Sequence, residues 1–351
     1  MNKSINVRIS VPMEFLYSLF ALGTDKGFVE MIRAFDLEPN VKITAMLQEM
    51  RKTLSSYIQQ ELTYFYDASG LGYILYKYIV HNPALEKVHE IIDQVKQDSA
   101  DNFVFKIMES VCKNTLPERD TAAYKALKGN QNKLLQLIQD TKFQDENRKI
   151  RVIEAVENPE EIKQRFTLLL NRLNAVAFAP YEEEIIKNIA IEKPRYDAML
   201  KDNADLFISQ YLNIDSLKDH LSGYVLHLSF FKYVSCHAFS SYQDDLEDWF
   251  VLGIYSDLLF NDSAVAERQA HFFKVLSDVN RIAIIRLLSE RPWFGQELAE
   301  ALNISPPTVS YHIGFLQQIG VVSFTRTDNR FYYELDRDKL LRPLEDFLQS
   351  F

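Results

Sequence analysis

The stretch SPPTVSYHI, Ser305–Ile313, sets two adjacent prolines directly ahead of a helical pattern of apolar residues. Proline inside a helix removes a hydrogen bond and clashes with the preceding turn, but in the first turn its missing N–H has no intrahelical partner to lose. Ser305 is a good N-cap residue, so the prolines start a helix here and do not break one. Val309, Ile313 and Leu316 then share one face, leaving Thr308, Ser310, Tyr311 and His312 on the others. Such a helix start is expected to offer short polar side chains and free N–H groups.

On the N-terminal side, FFKVLSDVNRIAIIRLLSE reads as a helix, a break at Ser277-Asp278 where either residue could cap, and a second helix. GQELAEAL is a short amphipathic helix, and LNIS is a turn of about four residues. After Gly320, VVSFTRTDNRFYYEL alternates around Asp328-Asn329 as a hairpin does, and DKLLRPLEDFLQSF adds a final helix. Helix, helix, turn, helix, hairpin predicts a winged helix-turn-helix over residues 266–351.

The chain has 351 residues, 47% of them apolar, which is enough for two cores. Between residue 12 and about 215 it reads as helix after helix, in tracts such as ALEKVHEIIDQV and PEEIKQRFTLLLNRLNAVAF with apolar residues at three- and four-residue spacing. Around Gly223 the texture becomes β-branched and aromatic. Strands are expected at 223–235 and 246–256, paired across the polar turn SSYQDD, with a short strand at 5–11 joining them. The fold class is therefore mainly α with minor β: a large helical domain with a few strands over 1–262, then the winged helix, with the boundary in NDSAVAERQ, Asn261–Gln269.

The net charge of −10 argues against nucleic acid only if it is spread evenly, and it is not. Residues 266–351 carry ten Lys/Arg against eleven Asp/Glu, so the acidity belongs to the first domain, which would repel DNA.

LSDVNRIAIIRLL, QELAEALNISPPTVSYHIGFLQQIGVV and RTDNRFYYEL together resemble the signature blocks of the ArsR-type winged-helix transcription regulators, over about residues 267–340. The resemblance implies a homodimer on double-stranded DNA, with the helix after the turn in the major groove and the hairpin on the backbone or minor groove. It implies dimer contacts from the helix Ala266–Leu276 and from the last helix. On the positions the family uses, Ser305, Pro307, Thr308, Ser310, Tyr311 and His312 would face DNA, with Arg326, Asn329 and Arg330 on the wing. Many members carry Arg where Tyr311 stands, so strong guanine readout is not expected. For His312 and Ser310 the alternative is that they support helix packing.

The family's metal sites do not carry over. Its arsenic and cadmium sensors place cysteines where this chain has Trp293, Phe294 and Gln296, and its zinc sensors use Asp and His on a last helix that here has no histidine. No metal and no cofactor is expected; a small-molecule effector of unknown identity is possible for the first domain.

Cys112 and Cys236 are too few and too distant in sequence for a disulfide framework. Cys236 lies beside His237, but neighbours on a strand point to opposite faces, and His220, His227 and His237 are scattered; no enzyme is expected. Ser69-Gly70-Leu71-Gly72 lacks the rest of a nucleotide loop and reads as a turn between helices. Tyr64, Tyr66, Tyr73, Tyr76 and Tyr78 could line a ligand pocket or belong to a core, with core favoured. No apolar run is long enough to span a bilayer, and MNKSINVRIS lacks the apolar segment of a signal peptide, so the expectation is a cytoplasmic protein without membrane contact. The reading is a dimeric DNA-binding transcription regulator, a repressor, whose first domain serves ligand sensing or oligomerisation; the alternative is a protein-interaction scaffold whose winged helix docks a partner.

Overall fold

The computed structural model describes the chain except at residues 1–4, 24–26, 34–36, 68–69, 113–114, 119–120, 144, 213–222, 240–245, 260–261, 328–329 and 350–351; side chains at 27, 31, 209–210, 262–265, 267–268, 318, 324–331, 346 and 349 also lie outside the description. The chain divides into two compact units, Met1–Asp257 and Leu258–Phe351.

The first unit is helical from Val11–Gly23 onward; late in this run Pro159–Leu173 passes through a π-turn and a short 3-10 segment into Glu182–Asp202, and the short segments Ala204–Phe207 and Ile208–Leu212 follow. Asn40, Ser55, Ser99, Thr121 and Asn130 each cap a helix by accepting a backbone N–H, so the punctuation is set locally. Phe166 packs its ring 5.0 Å from Phe65 and 5.5 Å from Phe103, and all three are buried. Of the clustered tyrosines, Tyr66 and Tyr78 are core residues, while Tyr64 and Tyr78 send their hydroxyls to Glu154 (2.7 Å) and Asp98 (2.6 Å).

Four strands close this unit: β1 (Ile5–Arg8), β2 (Tyr224–Ser229), β3 (Cys236–Phe239) and β4 (Asp248–Gly253), in the order β1-β2-β4-β3. β2 pairs in parallel with β1 and with β4, and β3 is antiparallel to β4. This corrects the expected hairpin: β2 and β4 are neighbours but run the same way, so the chain between them crosses over and adds β3 on the far side of β4. Residues 230–235 are not strand. They turn through Tyr233 and Ser235, both at φ 65°, against Gly253, where a Cβ would lie 2.2 Å from the Tyr233 backbone. Only glycine allows that approach. Every residue of β2 is buried, as expected for a parallel strand covered on both faces.

The register sets His227 and His237 on either side of Val251. Each has its own partner on the helix Val11–Gly23: His227 Nε2 lies 3.2 Å from Glu14 Oε2, and His237 Nδ1 lies 3.1 Å from the Tyr17 hydroxyl. His220 lies outside the described residues. Burial pulls the His237 imidazole down to about 4 from 6.5, and pushes the Cys236 thiol up to about 12, the reverse of an activated nucleophile. Because the unfolded chain binds this proton more readily, stability contributed by neutral His237 is complete above pH 6.5 and is lost as pH falls from 6.5 toward 4. A His237→Gln variant should lose less stability over that window than the parent in urea titrations; equal slopes would contradict the assignment.

The second unit runs Asp262–Leu276, Val279–Glu290, strand β5 (Trp293–Phe294), Gly295–Leu302, Pro306–Gln318, β6 (Val322–Thr327), β7 (Arg330–Leu335) and Arg337–Gln349. Asp278 is the cap at the first break, accepting from the N–H groups of Asn280 (2.9 Å) and Arg281 (3.1 Å). β6 and β7 pair antiparallel as expected, and β5 adds a third strand in the order β5-β7-β6; two residues are too short for a periodic signal. The core joins Val275, Ile284, Leu288, Leu298, Val309, Ile313, Leu316 and Val322. Among the described residues no helix is long and apolar enough to cross a membrane.

Candidate nucleic-acid interface

The helix Gly295–Leu302 ends at Asn303, whose left-handed backbone (φ 53°) turns the chain, and Ser305 caps the helix Pro306–Gln318. Val309, Ile313 and Leu316, at most 1% exposed, fix the inner face of that helix against the core. The opposite face is fixed with it: Ser305, Pro307 and Ser310 are exposed, Tyr311 is 61% exposed and Thr308 is half-buried.

The helix start does not offer free N–H groups, contrary to expectation. Pro306 and Pro307 have none, the Thr308 N–H donates to Ser305 Oγ (3.3 Å), and the Val309 N–H donates to the Ser305 carbonyl (3.0 Å). The hydroxyls are also engaged. Ser305 Oγ and Thr308 Oγ1 are 2.7 Å apart, and Ser310 donates to the Pro306 carbonyl at 3.2 Å. The proline start therefore leaves no free N–H group of the first turn to bind an anion.

His312 also departs from the DNA-facing set. It is 6% exposed, with Nε2 3.4 Å from Asn280 Nδ2 and Nδ1 3.5 Å from Asp278 Oδ1. That second approach is within ion-pair distance but lacks hydrogen-bond alignment. His312 precedes Ile313 and follows Val309 by three, so it sits at the edge of the inner face and packs on the cap of the neighbouring helix. The packing alternative describes it; Ser310, by contrast, is exposed.

Tyr311 is held outward by edge-on contacts with Phe315 (5.0 Å) and His312 (5.4 Å). The far side of the unit steadies Phe315, over which the Arg281 guanidinium lies at 4.1 Å while donating to the Val275 carbonyl. One turn beyond Tyr311, Gly314 sits in mid-helix where a Cβ would meet nothing within 4 Å. Internal packing does not require glycine there, so Gly314→Ala should raise the stability of this unit by about 0.5–1 kcal/mol. Urea unfolding checks it; a loss of stability would mean a steric constraint at Gly314. On the wing, Arg326 pairs with Phe331 and Thr327 with Arg330 along the strands; their side chains, and all of Asn329, lie outside the described residues.

Residues 278–323 match the family described as "Bacterial regulatory protein, arsR family". The transcriptional repressor SdpR of Bacillus subtilis is 38% identical over 64 residues, 18% of this chain and 71% of its own length. The chain belongs to the arsR family of bacterial regulatory proteins. A second Bacillus subtilis relative, the uncharacterized HTH-type transcriptional regulator YceK, is 39% identical over 85 residues, covering 23% of this chain and 84% of the relative. The cadmium resistance transcriptional regulatory protein CadC of Listeria innocua is 33% identical over 75 residues, 21% of this chain and 63% of its own length. All three matches fall short of a quarter of the chain, so most of it is an extension beyond the shared arsR region. Family and relatives together make this chain a DNA-binding transcription regulator.

Proposed function

We propose that the second unit binds double-stranded DNA as a homodimer and represses transcription, with the helix Pro306–Gln318 in the major groove and the β6–β7 hairpin on the backbone or minor groove. The observation that carries this reading is the outward face of that helix: Ser305, Pro307, Ser310 and Tyr311 are exposed while Val309, Ile313 and Leu316 lock the inner face. Phosphate contact falls to the wing arginines, Arg326 and Arg330, because Asn303–Val322 carries no charged residue. Repression is favoured by the likeness to SdpR, a transcriptional repressor.

The first unit serves as the sensing or oligomerisation body. CadC is a cadmium resistance regulator, but here both cysteines, Cys112 and Cys236, belong to the first unit, and the positions Trp293, Phe294 and Gln296 of the second carry none. A thiolate metal sensor of that design does not transfer. The test is a double substitution, Tyr311→Ala with Arg330→Ala, assayed on DNA upstream of the chain's own gene. Binding should weaken by roughly 10- to 100-fold, from one base-contact and one phosphate-contact residue, with the unfolding midpoint unchanged. Unaltered binding would overturn the placement of this face on DNA.

A further inference from the structure

We infer that the helix Pro306–Gln318 selects its operator by the C5-methyl group of thymine, through the apolar surface of Pro307 and Tyr311, and not by hydrogen bonds to guanine. The inference rests on the DNA-binding reading above and specifies the chemistry of the bases beneath this helix.

Three observations lead to it. The first is the composition of the face. A guanine in the major groove offers two acceptors, N7 and O6, and is read by Arg or Lys. From Asn303 to Val322 there is no Arg or Lys, nor an acidic residue to accept from cytosine N4. The second is the state of the remaining donors. The two prolines lack N–H groups, Ser305 holds the Thr308 N–H and pairs with the Thr308 hydroxyl, and Ser310 donates to the Pro306 carbonyl. The polar side chains at the helix start are thus spent mostly on the helix itself.

The third is the shape of what is left. Pro307 and Tyr311, both exposed, are four residues apart, and Gly314, half-buried, follows three further on along the same side of the helix. The Tyr311 ring is positioned by Phe315 and His312, and Gly314 contributes no side chain beyond it, with open space where a Cβ would be. A rigid aromatic ring beside a flat, uncharged segment fits a methyl group projecting from the groove floor. Thymine is the base that carries one there.

The test replaces single thymines by deoxyuridine, which removes only the methyl group. The full chain first selects its tightest duplexes from randomised DNA; each thymine in the selected half-sites is then changed to deoxyuridine, and binding is measured for the parent and for Tyr311→Ala. At one or two positions per half-site the parent should lose about fourfold in affinity, the worth of one buried methyl group. Tyr311→Ala should bind more weakly and be nearly indifferent to the same change. Tyr311 is exposed, and the deoxyuridine comparison on the parent needs no variant to fold. If uracil is tolerated at every position while tight binding persists, the inference is overturned and the DNA-binding reading stands. Sensitivity confined to guanines replaced by 7-deazaguanine would also overturn it. Selection that yields no preferred DNA overturns both.

Discussion

Replacing Glu14 by alanine lowers the stability of the first unit by about 2–5 kcal/mol, the cost of leaving two buried hydrogen-bond donors without an acceptor. Glu14 and His227 are both 0% exposed. The carboxylate accepts from the Phe231 N–H at 2.9 Å and faces His227 Nε2 at 3.2 Å, while His227 Nδ1 accepts from the Ser10 N–H at 3.1 Å. Since a backbone N–H can only donate, Nδ1 must be the acceptor, which places the ring proton on Nε2, toward Glu14. One side chain therefore ties the helix Val11–Gly23 to β2 and to the turn after it. Alanine leaves the Phe231 N–H and the His227 Nε2–H unpaired in a dry interior. Glutamine is nearly isosteric but cannot repair the site: with its oxygen on the Phe231 N–H, its amide N–H groups meet another donor at His227. Glu14→Gln should cost about 1–3 kcal/mol. Thermal and urea unfolding read both; a loss below about 1 kcal/mol for Glu14→Ala would mean that water enters the site and takes over the hydrogen bonds.

The second large effect is expected at Leu316, 0% exposed in the core of the second unit. Leu316→Ala should cost about 2–5 kcal/mol through lost burial and a residual cavity. A unit of this size has a total margin of about 5–15 kcal/mol, so much of it disappears. DNA binding should fall in step, because the outer face of the helix is aligned only by its inner one. Tyr311→Ala provides the contrast: an exposed substitution should change stability by less than about 0.5 kcal/mol while weakening binding. If Leu316→Ala kept full stability, the inner face would be wrongly assigned.

The second unit was legible in the sequence because its decisive signals are local. Ser305 and Asp278 cap helices three residues or fewer from the groups they satisfy, and the β6–β7 alternation needs no distant partner. His312 was not legible. Its position at the edge of an apolar stripe is compatible with either face, and what settles it is Asp278 and Asn280, more than thirty residues earlier. The engaged N–H and hydroxyl groups at the helix start were in principle available from Ser305, Pro306 and Pro307, since two prolines and one cap leave no free donor there. In the first unit the apolar run of β2 announces a buried strand but not its direction. Parallel pairing with β4 depends on a crossover whose geometry is tertiary, and the continuous texture of 223–235 hid the turn at Tyr233–Ser235. The pairing of Glu14 with His227 spans over two hundred residues, and a lone acidic residue in an apolar helix was its only trace.

The most direct measurement is footprinting of the full chain on DNA upstream of its own gene across a salt series. The account predicts two protected half-sites about one helical turn apart, or a multiple of it, and an affinity that falls steeply and linearly with salt on logarithmic axes. Weak protection without spacing, or binding indifferent to salt, would contradict it.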